Sequence, residues 1–369
     1  MKPHLLQQAI SACVLRKAYF GAETWWPGCT RPGPQQGSPP ISNRVNKHLK
    51  DLSTVIVTGA RAVLPVFRTT PIPILHRESG FYPPEIQLDQ IALATSTRLS
   101  RLDPDHPLQK RAKAIKRKGH PTSRFARRVL LLPYSEQVNP LNHPPWLEHE
   151  PREAALARVG APEGLTKEQA ADNFRTLLQS IPENDIVIYS DGSKQDNGQT
   201  GAGFVGFIAG CQVLRGSFPL GPNKEVFDAE AIAALLGLKA AIKHLGSHAA
   251  SNIWICLDNL EVAIQLLSST TGSSQEVFED FRTLAATWIS RQTRPLTENG
   301  PIRIRWVPGH ASIPGNEAAD QAAKEGANQT LSPLYLWSYA ALKRHTKSSA
   351  AAQAQSHWKK KSSNFPALY

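Results

Sequence analysis

Cysteine is scarce in this 369-residue sequence. Its four cysteines, Cys13, Cys29, Cys211 and Cys256, are scattered along the chain. No CxxC pair and no Cys/His cluster occurs, which argues against a zinc knuckle and against a disulfide framework. A reducing, intracellular compartment suits such a thiol set. Long apolar runs are missing as well. No stretch reaches the length of a membrane span, and "MKPHLLQQAISACVLRKAYF" at the N-terminus lacks the continuous apolar core of a signal peptide. The chain is therefore expected to be neither secreted nor in a membrane. Internal repeats are also absent.

Acidic residues are missing from particular places. After Leu331 there is none, against six Lys and Arg. "QKRAKAIKRKGHPTSRFARR" carries nine basic residues and no acid from Lys110 to Arg128. Residues 181–330 differ, with 11 Lys and Arg against 16 Asp and Glu, in a chain of net charge +12. An acidic module is thus flanked by basic segments. Such flanks can hold a polyanion while the module acts on it. A single basic run equally fits a solvated linker or a nuclear-import signal, which leaves the nucleus open as a destination.

The length accommodates two domains, or one with long appendages. Apolar residues at helical spacing run from Leu5 to about Tyr19 and again from about Ser42 to Leu64, where Pro65 ends the pattern. Between them lies the Pro/Gly-rich "PGCTRPGPQQGSPP". "RTTPIPILHRESGFYPP" reads as turns leading to a third helix, roughly Pro84 to Leu99. This gives a helical region over 1–102, a basic, proline-containing linker over 103–180, a module over 181–330 and a basic tail over 331–369. Within the module the pattern changes. "IVIYSDGS" and "TGAGFVGFIAGCQVLRGSFPLG" read as three strands, with Gly210 near a hairpin turn. "DAEAIAALLGLKAAIKHLG" reads as a helix, "NIWICLDN" as a strand, "LEVAIQLLSS" and "SQEVFEDFRTLAATWISRQ" as helices. "PIRIRWVPG" is a fifth strand, and a last helix starts near Glu317. An antiparallel meander followed by crossovers that bring strands four and five parallel to the first makes a mixed sheet.

Four carboxylates fall at telling places on that scheme. Asp191 and Asp258 end the first and fourth strands, Glu230 lies early in the helix after the meander, and Asp320 lies early in the last helix. Each alone has an ordinary structural reading as turn, cap or surface charge. Together they share the edge of the sheet where open α/β folds bind ligands. Ionised carboxylates so close would repel and raise one another's pKa, and a hard divalent cation resolves that conflict. Two Mg²⁺ ions about 4 Å apart can activate a water and stabilise a leaving oxygen in a phosphodiester displacement. His310 stands in the loop before Asp320, with Gly309 and Gly315 read as giving that loop its freedom.

"YSDGS", "DAEAIAALLGL", "ICLDN" and "WVPGHASIPGNEAAD", in this order, carry a resemblance. The chain from Asp185 to Ala327 resembles the type-1 ribonuclease H family. The resemblance implies an α/β fold, a ribonuclease H-like mixed five-stranded sheet with flanking helices, here preceded by a small helical region. It implies two Mg²⁺ or Mn²⁺ ions and endonucleolytic cleavage of the RNA strand of an RNA–DNA hybrid, leaving 5′-phosphate and 3′-hydroxyl ends. By position, Asp191, Glu230, Asp258 and Asp320 match the metal-binding carboxylates. His310 matches the mobile-loop histidine that shuttles protons or helps product leave. "GHASIPGNEAAD" and the tail resemble the ribonuclease H domains that end the reverse transcriptases of fungal non-LTR retrotransposons. "AYFGAETWWPG" and "RTTPIPILHRESGFYPP" resemble the region after the polymerase palm of those proteins. No YxDD or FADD signature and no palm is present, so the chain reads as a C-terminal piece of such a polyprotein and reverse transcription is not implied. The expected partners are an RNA–DNA hybrid, held partly by the basic linker and tail, with no obligate protein partner. Two other readings stand beside this one. The first is a catalytically inactive nucleic-acid-binding remnant. The second is an integrase-like or exonuclease relative, which would carry its carboxylates in a different order.

Overall fold

A computed structural model describes residues 2–31, 33, 37–114, 124–138, 150–162, 164–268, 272–291, 297–330 and 336–362. The chain divides into two compact units, Tyr134–Leu342 and Met1–Pro133 with Lys343–Tyr369.

The first of these contains β1 (Ile186–Lys194), β2 (Thr200–Ile208), β3 (Cys211–Pro219), β4 (Ile253–Leu257) and β5 (Ile302–Trp306). They form one sheet in the order β3-β2-β1-β4-β5. β1, β2 and β3 pair antiparallel, and β4 and β5 run parallel to β1. The mixed five-stranded sheet expected from the pattern is the one observed. Ala209 and Gly210 close the β2–β3 hairpin, both at positive φ (49° and 73°), which matches the right-handed twist of the strands they join.

Both faces of the sheet are covered, which is why β4 is an unbroken apolar run, buried at every position. Alternate residues serve opposite faces. Ile186, Ile188, Ile253, Ile255 and Ile304 pack with α3 (Val226–Lys243), α4 (Leu260–Leu267) and α5 (Gln275–Ile289). Tyr189, Val205, Trp254 and Cys256 join Ala171 and Phe174 of α2 (Lys167–Ser180) and Ala319 of α6 (Pro314–Ala327). The small residues of α3 and α6 let these helices lie close. A Cβ on Gly203 of β2 would collide with the backbone of Ala322 and Ala323 in α6, so that position admits only hydrogen.

Asp185, 2% exposed, ties the start of β1 to the start of β4. Its carboxylate accepts from the backbone N–H groups of Ser251 (3.1 Å) and Asn252 (2.8 Å), from Asn252 Nδ2 (2.8 Å) and from Trp254 Nε1 (2.9 Å). Asp185→Ala strands these donors, and buried donors without partners cost about 1–3 kcal/mol each. We expect a loss of about 3 kcal/mol or more in chemical denaturation, against under about 1 kcal/mol for exposed Asp196→Ala.

The boundaries differ from the expected linker over 103–180. α1 (Arg152–Val159) and α2 belong to the sheet unit: Ala155 and Val159 enter one core cluster, Ala171 and Phe174 the other. The residues they bury are few, Ala155 and Val159 in α1 and Ala170, Ala171 and Phe174 in α2, so the charged residues between them dominate the sequence pattern. Thr166 and Gln169 close a capping box at the start of α2. Residues 115–123 of the basic run lie outside the described residues. The expected tail is largely one helix, α7 (Tyr339–Ser362). Its start is fastened to the sheet unit, where Glu136 accepts from Tyr339 N (2.6 Å) and Ser274 N (3.1 Å), and Ser338 bonds the buried Asp228 carboxylate.

The other unit is helical. Its helices include Pro3–Ala9 continuing through a π-helical stretch Ile10–Leu15, then Asn46–Val63, Ile72–Ser79, Pro84–Ser100, Pro107–Lys113 and Arg124–Val129. Ile72–Ser79 lies where turns were expected, because Pro71 and Pro73 occupy helix-starting positions that prolines tolerate. Trp26, Ile56, Leu75, Phe81 and Leu88 form its core. Trp26 Nε1 donates to Asp89 Oδ1 at 2.6 Å. Among the described residues no helix is long and apolar enough to cross a membrane.

Candidate active site

β1 and β4 stop pairing at Tyr189 and Cys256. Asp191 and Asp258 each follow two residues beyond that last pair. β1 itself continues to Lys194, held by β2, so Asp191 sits opposite Gly203 rather than at a strand end. Glu230 lies in the second turn of α3. It reaches Asp191 because Gly192 has no side chain: a Cβ there would lie 2.6 Å from the backbone nitrogen of Glu230. The helix start is fixed by reciprocal bonds between Glu225 and Asp228. Each of Asp191, Glu230 and Asp258 offers a carboxylate oxygen within 4.8 Å of the other two.

Asp191 and Glu230 are buried, 9% and 5% exposed. Burial, then the charges of Asp258 and Asp320, push the Asp191 carboxyl up to about 7, against the opposing Gly192 N–H and Lys324. Burial pushes Glu230 up to about 8. A bond from Asn259 opposes this, and the charges of Asp191 and Asp258 add to it. Gly192 N donates to Asp191 Oδ1 at 2.7 Å, and Asn259 Nδ2 donates to Glu230 Oε1 at 3.2 Å. Glu230 Oε2 is buried and has no hydrogen-bond partner among the described residues. An ionised carboxylate oxygen buried without a partner beside two other carboxylates is costly unless a proton or a cation completes it. The donor set is all oxygen, which suits Mg²⁺ or Mn²⁺ and not a soft metal.

Residues 183–328 match the family model for RNase H. They are an RNase H domain. No curated protein matches the chain. Among solved structures, it is similar to the N-terminal RNase H domain of Rv2228c from Mycobacterium tuberculosis, at 20% identity over 39% of this chain and 99% of that one, TM-score 0.30. It is also similar to RNase H1 of Halobacterium salinarum, at 22% identity over 40% and 99%, TM-score 0.28. The protease–reverse transcriptase of prototype foamy virus is similar at 21% identity over 40% of this chain and 21% of that one, TM-score 0.32.

Three of the four carboxylates expected to bind metal, Asp191, Glu230 and Asp258, lie together. Asp320, in the second turn of α6, stands outside that cluster among the described residues. Its carboxylate is engaged by Lys324 Nζ at 2.6 Å, four residues along the helix, yet it lies close enough to raise Asp191. His310 is exposed in the loop between β5 and α6 and has φ 49°, in the left-handed region, as does Ser312 at 53°. Gly309 and Gly315 have a different part from the one expected. Neither adopts a positive φ. Gly309 is small because a Cβ would strike the Asp258 carboxylate, and Gly315 because a Cβ would strike the Tyr189 ring. Gly309 lays the loop against Asp258, Gly315 lets the start of α6 lie against Tyr189, and the left-handed strain falls on His310 and Ser312.

Asn259 escaped the sequence reading. It caps α4, accepting from Glu261 N (3.1 Å) and Val262 N (3.2 Å), while its amide holds Glu230. Its place directly before a helical pattern is a cap signal, but nothing local points to Glu230, 29 residues earlier. Asn316, 3% exposed, offers Nδ2 to Asp258 Oδ2 at 3.5 Å, and its own Oδ1 is buried without a partner among the described residues.

Proposed function

We propose that the RNase H domain hydrolyses the RNA strand of RNA–DNA hybrids at internal positions. The observation that carries the reading is the cluster of Asp191, Glu230 and Asp258 with its orphaned Glu230 oxygen, set in an RNase H domain. These three, with Asp320 once released by Lys324, would hold two Mg²⁺ or Mn²⁺ ions. Bound there, the ions would lower the pKa of a water and offset charge on the leaving oxygen. The protein's own residues do the rest. The Gly192 N–H fixes one oxygen of Asp191, and Asn259 fixes one oxygen of Glu230, which holds both carboxylates in place beside Asp258. His310, exposed in the loop that Gly309 lays against Asp258, exchanges a proton between the site and bulk water. A hybrid is told from duplex DNA through its 2′-hydroxyls.

End-group analysis tests this reading. A hybrid labelled in either strand should give internal RNA fragments with 5′-phosphate and 3′-hydroxyl ends, and an intact DNA strand. Cleavage of the DNA strand, or 2′,3′-cyclic ends, would refute it. His310→Ala should slow turnover without abolishing it, by up to about 10²–10⁴-fold, the range of general acid–base assistance. If its turnover and pH profile matched wild type, His310 would have no part in proton transfer.

The motifs around Trp25 and His310 support a further proposal. The chain derives from the part of a fungal non-LTR reverse transcriptase that follows the palm, and it works inside the cell. The basic run 110–128 would direct it to the nucleus, and a fluorescent fusion with that run neutralised should then stay in the cytoplasm.

A further inference from the structure

The helical unit holds two cavities that share Gly80, Phe81 and Tyr82 on their walls. One, of about 500 Å³, is lined by His76, Arg77, Tyr82, Trp358 and Lys359 among others. The second, of about 390 Å³, is lined by Ser11, Arg16, Tyr19 and Tyr82 among others. Local backbone explains the shape. Helix Ile72–Ser79 ends at Gly80 in the left-handed conformation (φ 72°), which turns the chain so that Phe81 enters the core while Tyr82 stays half-buried between the cavities. The π-helical stretch Ile10–Leu15 supplies Ser11 and Leu15 to the second wall. Such widened turns recur at functional sites.

The lining combines two chemistries. Tyr82 and Trp358 offer flat aromatic faces. The Arg77 guanidinium lies 4.9 Å from the Trp358 ring centroid. Arg16, Arg77 and Lys359 are exposed at the rims. Two carboxylates stand near: Glu78 beside Arg77 at 3.3 Å, both exposed, and Glu85, 3.7 Å from His357. Cations remain in excess. Tyr19, 8% exposed, lines the second cavity.

We infer that these two adjoining cavities together form a groove that binds single-stranded nucleic acid. Bases stack on Tyr82 and Trp358, and phosphates lie against Arg16, Arg77 and Lys359. Aromatic platforms beside cations are the means by which proteins hold unpaired strands. A duplex keeps its base faces stacked inside and could use only the cations. An acidic peptide would use the cations and leave the aromatic faces idle. The inference shares with the proposed hydrolysis only the idea that the chain handles nucleic acid, and it needs no cleavage.

The test is fluorescence anisotropy with a labelled single-stranded RNA of about 12 nucleotides, within the site sizes such grooves span. It uses the full chain carrying Asp191→Asn, so that hydrolysis cannot interfere. Tyr82→Leu, which keeps apolar bulk and removes the ring, should weaken binding about tenfold. Tyr82→Phe should stay within about twofold. Arg16→Gln with Lys359→Gln should reduce the slope of log affinity against log salt by about 1.4, the loss of two single-strand phosphate contacts. Thermal melting of each variant confirms that the unit still folds. Unchanged binding by a folded Tyr82→Leu variant would overturn the inference. So would equal competition by duplex DNA, or by polyglutamate at equal charge. A chain that binds the strand this way but cuts no hybrid would refute the hydrolysis and leave the groove standing.

Discussion

Asp191→Asn is expected to lower cation-dependent hybrid cleavage by at least about 10³-fold while the protein stays folded. The substitution keeps size and the bond from Gly192 N, and removes one of three converging charges. Charge stabilisation by such ions is worth several kcal/mol, and about 4 kcal/mol corresponds to 10³ in rate. The same change should raise the melting temperature in chelator, because the carboxyl it removes is buried and repelled by Asp258 and Asp320. Loss of function with gain of stability separates a binding site from a structural cluster. A variant that cleaves within tenfold of wild type at saturating Mg²⁺ would remove Asp191 from the site.

The second large effect is on stability against pH. Asp191 and Glu230 rise to about 7 and about 8 in the folded chain, against roughly 4 in an unfolded one. Between these values the folded state binds protons that the unfolded state has released. Stability therefore falls as pH rises through that window, and above pH 8 no more is lost. In chelator, unfolding free energy should drop from pH 5 to pH 8 by on the order of a few kcal/mol. His76 has the opposite sign: burial holds its imidazole below the usual range, so it costs stability as pH falls. The difference between wild type and Asp191→Asn isolates the cluster from such groups. Excess Mg²⁺ should flatten the slope and stabilise most at pH 8, since the cation binds the ionised form. The measurement is a set of melting curves at several pH values with chelator or Mg²⁺. Parallel curves for wild type and variant would show that the cluster does not titrate as described.

Much of this was legible from sequence because strand ends and helix starts follow from periodicity. "IVIYSDGS" and "NIWICLDN" each end an apolar run at an aspartate, and parallel pairing carries both aspartates to one edge. Glu230 follows from its place near a helix start. The geometry that brings it within reach does not, because it depends on a clearance at Gly192 set by a helix whose close approach no local pattern reveals. Asp320 shows the limit in another way. Its position in the loop–helix unit was legible, but Lys324, one helical turn along, draws its carboxylate aside. The helices at 152–159 and 167–180 were hidden by their own charge, since each buries only two or three small or aromatic residues per face. The groove of the helical unit joins residues as far apart as Arg16, Tyr82 and Lys359. Trp358 can be noted in the sequence as a free aromatic, but its pairing with Arg77 needs the fold.

The most direct measurement is incubation of the wild-type chain with a hybrid labelled on its RNA strand, in Mg²⁺ and in chelator, beside the same RNA annealed to RNA. Cutting of the hybrid alone, in Mg²⁺ alone, is the expected result. An uncut hybrid in Mg²⁺ and in Mn²⁺, with the protein shown to be folded, would contradict the reading of Asp191, Glu230 and Asp258 as a hydrolytic site.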